Sequence, residues 1–234
     1  YPEYFPNNIQ LLVWDGVSWQ VAGQSIYGRG PTVFQEHGDK LILGASDLDT
    51  DQSQSPNCIM QWDGSTWTKL GGDLGAKFGS SRIFSALTYG PDLIAAGDFT
   101  LPQGGPEITI ASWNGSSWTP WPSQLSYISS LAMFNGQLYA GGEFDVYVDG
   151  VTDYIARWDG AAWQTLDNCW CDKVYVLAEF DGELVAGGHC PFNSHCGQSF
   201  NYIARWNGTE WHGLGGGISG TTVASFAEYR GKLI

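Results

Sequence analysis

An all-β chain of repeated four-stranded units is what the sequence predicts, on three observations. A six-residue unit, Trp-Asp/Asn-Gly-x-x-Trp, occurs five times, with first Trp residues at Trp14, Trp62, Trp113, Trp158 and Trp206. Successive copies are 48, 51, 45 and 48 residues apart, the period of supersecondary repeats. Between the copies lies a second unit of apolar run, glycine turn, apolar run and small residues. A regular period of this length filled with short strands is the signature of a β-propeller.

Each strand follows from local patterning. A short alternating run precedes every Trp unit: Ile9 to Val13, Cys58 to Gln61, Thr109 to Ser112, Tyr154 to Arg157 and Tyr202 to Arg205. These are read as strand c. The runs Trp67 to Leu70, Trp163 to Leu166 and Trp211 to Leu214 are read as strand d. Asp-Gly or Asn-Gly between them is a strong hairpin signal, read here as type I′ turn chemistry. Strands a and b come from pairs such as Leu131–Phe134 with Leu138–Gly142, and Val176–Ala178 with Leu184–Gly188. The turns between them contain Gly38, Gly90, Gly136, Gly182 and Gly231. Small residues closing strand b fit a crowded position where backbones approach.

The order is cd, four times ab-cd, then ab. This predicts one domain, 1–234, of five blades, with N- and C-terminal strands completing one blade. The rival reading is a piece of a larger ring, since Leu233-Ile234 falls in mid-strand by comparison with Leu184–Gly188.

The segment Asn201 to Gly217 and the run Leu138-Tyr139-Ala140-Gly141-Gly142-Glu143-Phe144 resemble a kelch-like repeat class. It is similar to repeats of fungal cortical polarity-marker proteins and of large secreted or surface repeat proteins. The resemblance implies a propeller and a surface or matrix role without enzymatic activity. The first hairpin departs from it at Gly44-Ala45-Ser46-Asp47, where a second glycine is missing.

Composition narrows the function classes. Net charge is −14 with only 10 Lys and Arg, so the basic stripe of nucleic-acid binders is missing, and anionic membranes are disfavoured. No apolar stretch approaches the roughly 18 residues of a membrane helix. Four of five cysteines, Cys169, Cys171, Cys190 and Cys196, fall close together. They are read as two disulfides stapling one loop pair in an oxidising, extracellular or cell-surface location, with connectivity open. A zinc site at His189, Cys190, His195 and Cys196 is the alternative, disfavoured because Cys169-x-Cys171 is too tight. Cys58 is left over, unpaired or intermolecular.

Function is expected in the long b–c loops. Asp47, Asp49 and Asp51 alternate there as in a calcium loop, but Gln52 replaces the expected glycine and a bidentate acid is missing. Asp145, Asp149 and Asp153 form a looser set. Asn114-Gly-Ser and Asn207-Gly-Thr are candidate glycosylation acceptors on exposed turns. No Ser/His/Asp set stands out, the four His do not repeat, and the sialidase Asp-x-Gly-x-x-Trp pattern is not matched. The expectation is therefore a non-enzymatic structural or adhesive propeller, a unit of a fibre or large surface protein. Its partners would be its own copies or other surface or matrix proteins. A carbohydrate-binding lectin is the alternative and an enzyme a further one; no cofactor is expected apart from calcium.

Overall fold

The computed structural model describes residues 7–49, 57–72, 74–75, 81–144, 153–166, 169–191, 197 and 199–234. Among them every regular element is a β-strand. The chain divides into two compact units, Tyr1–Trp121 and Pro122–Ile234.

The first unit contains β1 (Asn7–Ile9), β2 (Leu12–Trp14), β3 (Trp19–Val21), β4 (Ile26–His37), β5 (Lys40–Asp49), β6 (Asn57–Trp62), β7 (Trp67–Lys69), β8 (Arg82–Tyr89), β9 (Asp92–Phe99), β10 (Ile108–Trp113) and β11 (Trp118–Pro120). β4 to β7 form one antiparallel meander and β8 to β11 a second. The bridge Ser46 to Arg82 joins β5 to β8. β2 and β3 make a separate hairpin. The second unit contains β12 (Ile128–Phe134), β13 (Gln137–Gly142), β14 (Ile155–Trp158) and β15 (Trp163–Thr165), then β16 (Val174–Phe180), β17 (Glu183–Gly188), β18 (Ile203–Trp206) and β19 (Trp211–Gly213). Each set is a four-stranded sheet in chain order, and β20 (Glu228–Tyr229) pairs with β21 (Lys232–Leu233). Successive four-stranded antiparallel blades of this kind are the β-propeller architecture.

Within each unit the blades pack through strand b. Residues Leu93 to Gly97 of β9 and Leu138 to Gly142 of β13 are buried along their whole length, since such a strand has neighbours on both faces. The small residues expected there are required. A Cβ on Gly141 would lie 2.6 Å from Val174 of the next blade. A Cβ on Gly188 would lie 2.1 Å from the Lys173 carbonyl oxygen. Strands β4, β8, β12 and β16 each carry a register irregularity, and in β4 and β12 a hydroxyl there ties two blades together. Thr32 donates to the carbonyls of Gly44 and Ile83, and Ser129 to those of Gly141 and Val174.

The Trp units form the second blade-to-blade contact. The indole N–H of Trp67 donates to the Ala22 carbonyl at 3.3 Å, and that of Trp118 to the Leu70 carbonyl at 2.8 Å. In both cases the acceptor lies three residues beyond the second Trp of the preceding repeat. The next residue is a glycine in the left-handed region, Gly23 (φ 68°) or Gly71 (φ 74°). A Cβ on it would come within 2.2 Å of Trp62 or Trp113 respectively. Gln24 completes the first of these contacts by pairing its amide with both the N–H and the carbonyl of Trp67.

Three sequence expectations are corrected. The c–d connection is a four-residue loop closed by the Trp14–Trp19 type of pair, with Asp15 N donating to Ser18 O at 3.2 Å. Only its glycine is left-handed, whereas a type I′ turn needs positive φ at both central residues. That turn occurs instead in the a–b hairpins, at Asn135-Gly136, Asp181-Gly182 and Arg230-Gly231, where both residues have positive φ. The first predicted strand c is split, because Ile9 belongs to β1, which pairs with the early part of β4. β5 also runs further than expected, to Asp49, which pairs with Tyr27.

Gly71→Ala should destabilise the protein by about 1–3 kcal/mol, because the methyl has to displace the Trp113 ring. Urea unfolding measures this, and an unchanged midpoint would show that the glycine contact carries no energy.

Candidate functional site

The repeated turn is explained by its acceptor side chain. Asp63 Oδ1 accepts the N–H of Ser65 and of Thr66, both at 2.8 Å, and Asp15 and Asp159 do the same in their repeats. Asn114 and Asn207 Oδ1 take the corresponding N–H groups of Ser116, Ser117, Thr209 and Glu210. Backbone bonds to the ionised form hold the Asp15 and Asp159 carboxyls below the ordinary value, and Asp63 furthest below it. Both predicted glycosylation residues are exposed. Asn207 Nδ2 lies 3.0 Å from His212 Nε2.

The predicted disulfide cluster is at the end of the fourth repeat where β16 starts and β17 ends. Cys171 and Cys190 are bonded, with Cα atoms 5.4 Å apart. Cys169 is disulfide-bonded as well, and Cys196 lies outside the described residues. The zinc alternative is removed for Cys190, since a sulfur in a disulfide has no thiolate to offer; His195 also lies outside the described residues. The disulfides cap an aromatic core in which Trp170 stacks on Phe200 at 6.0 Å and both pack against Trp211.

Around this staple a polar group gathers that sequence reading did not assemble. His189 Nδ1 lies 2.7 Å from Asp172 Oδ2. Lys173 Nζ lies 2.7 Å from Glu143 Oε2, and this contact raises the Lys173 pKa. The Tyr202 ring lies 6.2 Å from His189. Tyr202 and Asn201 both have positive φ, at 73° and 44°. A left-handed tyrosine costs about 1–3 kcal/mol and needs surrounding bonds to hold it. Those bonds are present: Tyr202 N donates to Cys190 O, Gly188 N to Tyr202 O, and Ile218 N to Asn201 O. The available signals were weak ones, a His-Cys dipeptide at Cys190 and an Asp after Cys171, at positions far apart in the chain.

The other predicted site residues separate. Asp47 and Asp49 lie in strand β5 rather than in a loop, because the ladder continues to Asp49 and the Leu48 between them is buried in the core. Asp51, Asp145 and Asp149 lie outside the described residues. Asp153 is buried, and its carboxylate accepts the N–H groups of Tyr154, Ile155 and Leu166, which joins the start of β14 to the end of β15. Its role is structural. No group of three metal-ligating side chains occurs among the described residues. Cys58 is fully buried in the core of the first unit, so its sulfur is out of reach of another chain. In the second repeat, burial raises the Asp98 pKa; Glu107 adds to this and Arg82 opposes it.

No family model matches the sequence, and neither does any of the curated proteins. Solved structures do match. An acylaminoacyl peptidase of Pyrococcus horikoshii is similar over 92% of this chain, with a TM-score of 0.52 and 16% identity. The chain spans about a third of that protein's length, 33%. The β-propeller domain of the Trilobed protease from Pyrococcus furiosus, with an open velcro topology, gives a TM-score of 0.47 at 12% identity, over 88% of this chain and 68% of the other. A structure of YCF48 bound to D1 peptide gives 0.36 at 15%, over 78% and 65%. At these identities the likeness shows the fold alone. It also overturns the expectation that the chain is not an enzyme, because a hydrolase contains this fold.

Asp153→Ala leaves three backbone N–H groups without their acceptor and should cost about 1–3 kcal/mol or more in urea unfolding. An unchanged stability would rule out the carboxylate as the tie between β14 and β15.

The Asp turns also predict an acid response. A carboxyl whose folded pKa is lowered contributes stability above its unfolded value of 3.8, and loses it as pH falls towards the folded value. Asp63→Asn, which copies the Asn114 turn, should therefore flatten the decline of stability below about pH 4. Parallel acid titrations of both proteins, followed by circular dichroism, give the comparison; superimposable acid limbs would contradict it.

Proposed function

We propose that the protein is an extracellular or cell-surface scaffold, structural or adhesive, whose repeats serve assembly into a larger body. The supporting observation is the Trp-on-glycine contact, made twice in the first unit, at Gly23 and at Gly71. A chain built of self-complementary units is suited to a fibre or large surface protein. The Cys171–Cys190 bond fits an oxidising location. The kelch-like resemblance and the acidic exterior favour the same setting, and Asn114 and Asn207 are glycan acceptors on exposed turns.

A lectin-like role is the second reading, favoured by the grouping of His189, Asp172 and Tyr202. An imidazole held by a carboxylate beside an aromatic ring offers hydrogen bonds and an apolar face to a sugar.

Fractionation of the source material, followed by electron microscopy with an antibody to this chain, tests the scaffold. Label outside the cell on extended or clustered assemblies is expected. Recovery from the cytosol as a dispersed protein would sink it. Binding on a glycan array that disappears in His189→Ala would move the role to the second reading.

A further inference from the structure

The c–d loop recurs in all five repeats, and at Asn207 it holds a histidine against the capping side chain. Asn207 Oδ1 accepts the N–H of Thr209 at 2.8 Å, that of Glu210 at 3.0 Å and the Thr209 hydroxyl at 2.8 Å. Donors converging on one atom identify it as the amide oxygen, so Nδ2 is the atom that faces the ring of His212. Nδ2 lies 3.0 Å from His212 Nε2, and Glu210 Oε1 lies 3.6 Å from the same ring nitrogen. The Asn114 loop has the matching bonds, from Ser116 N, Ser116 Oγ and Ser117 N. In the place of His212 it has Thr119, whose hydroxyl pairs with that of Ser112 instead.

Asn207 is followed by Gly208, and this dipeptide allows a reaction within the chain. Glycine has no side chain to shield its nitrogen, so Gly208 N can attack Asn207 Cγ. The new bond closes a five-membered succinimide, the Gly208 amide proton passes to water, and the Cγ–Nδ2 bond breaks with loss of ammonia. Water then opens the ring at one of its two carbonyls, which leaves an aspartate or an isoaspartate. The net change is amide plus water to carboxylate plus ammonium. Negative charge builds on Oδ1 as Cγ becomes tetrahedral, and the donors from Thr209 and Glu210 lie at distances that stabilise an oxyanion. Ammonia leaves once Nδ2 has gained a proton, and the His212 ring in its protonated form is in place to deliver it.

We propose that Asn207 is a self-modifying site, at which the folded loop converts the side-chain amide into a carboxylate with His212 as the proton donor. The loop is already suited to the product. Asp15, Asp63 and Asp159 fill the same position in sister repeats and accept the same pair of backbone N–H bonds. In two of them the residue five places on, Gln20 or Gln164, donates to the second carboxylate oxygen. His212 stands at that place relative to Asn207, and its ring N–H would serve the new carboxylate as the glutamines do. An aspartate at position 207 thus keeps the loop, whereas an isoaspartate inserts a backbone carbon and breaks it. The reaction stands apart from the scaffold reading. It removes the sequon Asn207-Gly208-Thr209, so a glycan and a carboxylate are alternative fates of one side chain.

The test follows the full chain, produced in a bacterial host so that neither asparagine carries a sugar, and kept folded at neutral pH over weeks. Peptide mass spectrometry that separates asparagine, aspartate and isoaspartate reads positions 207 and 114 in one sample. Position 207 should convert about tenfold or more faster than position 114, short of the roughly hundredfold of a fully positioned proton donor. His212→Thr, which copies Thr119, should bring the rate at 207 down to that at 114. The His212 ring is partly exposed, so this variant should keep the fold, which circular dichroism checks. In urea the two positions should convert alike, since only the folded loop holds the ring in place. Equal rates at 207 and 114 in the folded chain overturn the proposal. So does a rate at 207 that is unchanged in His212→Thr, or a difference that persists in urea. None of these outcomes bears on the scaffold reading.

Discussion

The packing of a tryptophan pair against a glycine of the preceding repeat is the contact that ties the repeats of the first unit together. It works because three requirements coincide at one place. The indole needs an acceptor for its N–H when buried, and the strand-d exit of the preceding repeat supplies a carbonyl. The partner ring needs room at close range, and only a residue without Cβ leaves it. The backbone there turns into the left-handed region, which glycine adopts without strain. The second unit lacks this block: Pro122 and Asp167 stand where Gly23 and Gly71 do, and the buried indole N–H groups of Trp163 and Trp211 have no partner among the described residues.

Around that contact the structure separates scaffold from surface. The strand-b glycines and the Thr32 and Ser129 hydroxyls hold neighbouring blades at a fixed spacing within each unit. Asp and Asn at the c–d corners cap their own loops, so side chains that look like ligands are occupied locally. Asp153 follows the same rule at greater depth. The fourth repeat departs from this economy. There a disulfide, a left-handed tyrosine and a His–Asp pair meet at one end of the blade.

The fold was legible from the sequence because its signals are short-range and periodic. The Trp spacing, the glycine turns and the small residues ending strand b each report a local requirement, and each was found where expected. The type of the c–d turn was not legible. Asp-Gly satisfies both a two-residue and a four-residue loop, and the choice falls to the Trp14–Trp19 type of pairing across it. Asp47 and Asp49 fall in a strand rather than in a loop for a related reason. Alternating carboxylates describe a strand as well as a loop, and the pairing of Asp49 with Tyr27 decides for the strand.

The sequence by itself determined the repeat, the strand order within it and the clustering of four cysteines, since all of these are carried by residues close together in the chain. Only the tertiary structure decided which copies of one motif are buried. Trp14-Trp19 and Trp206-Trp211 are indistinguishable as words in the sequence. The first is exposed and the second lies in the core of its own unit, since burial is set by what packs on the pair and not by its residues. The same holds for His189, Asp172 and Tyr202, whose meeting depends on where β16, β17 and β18 begin and end.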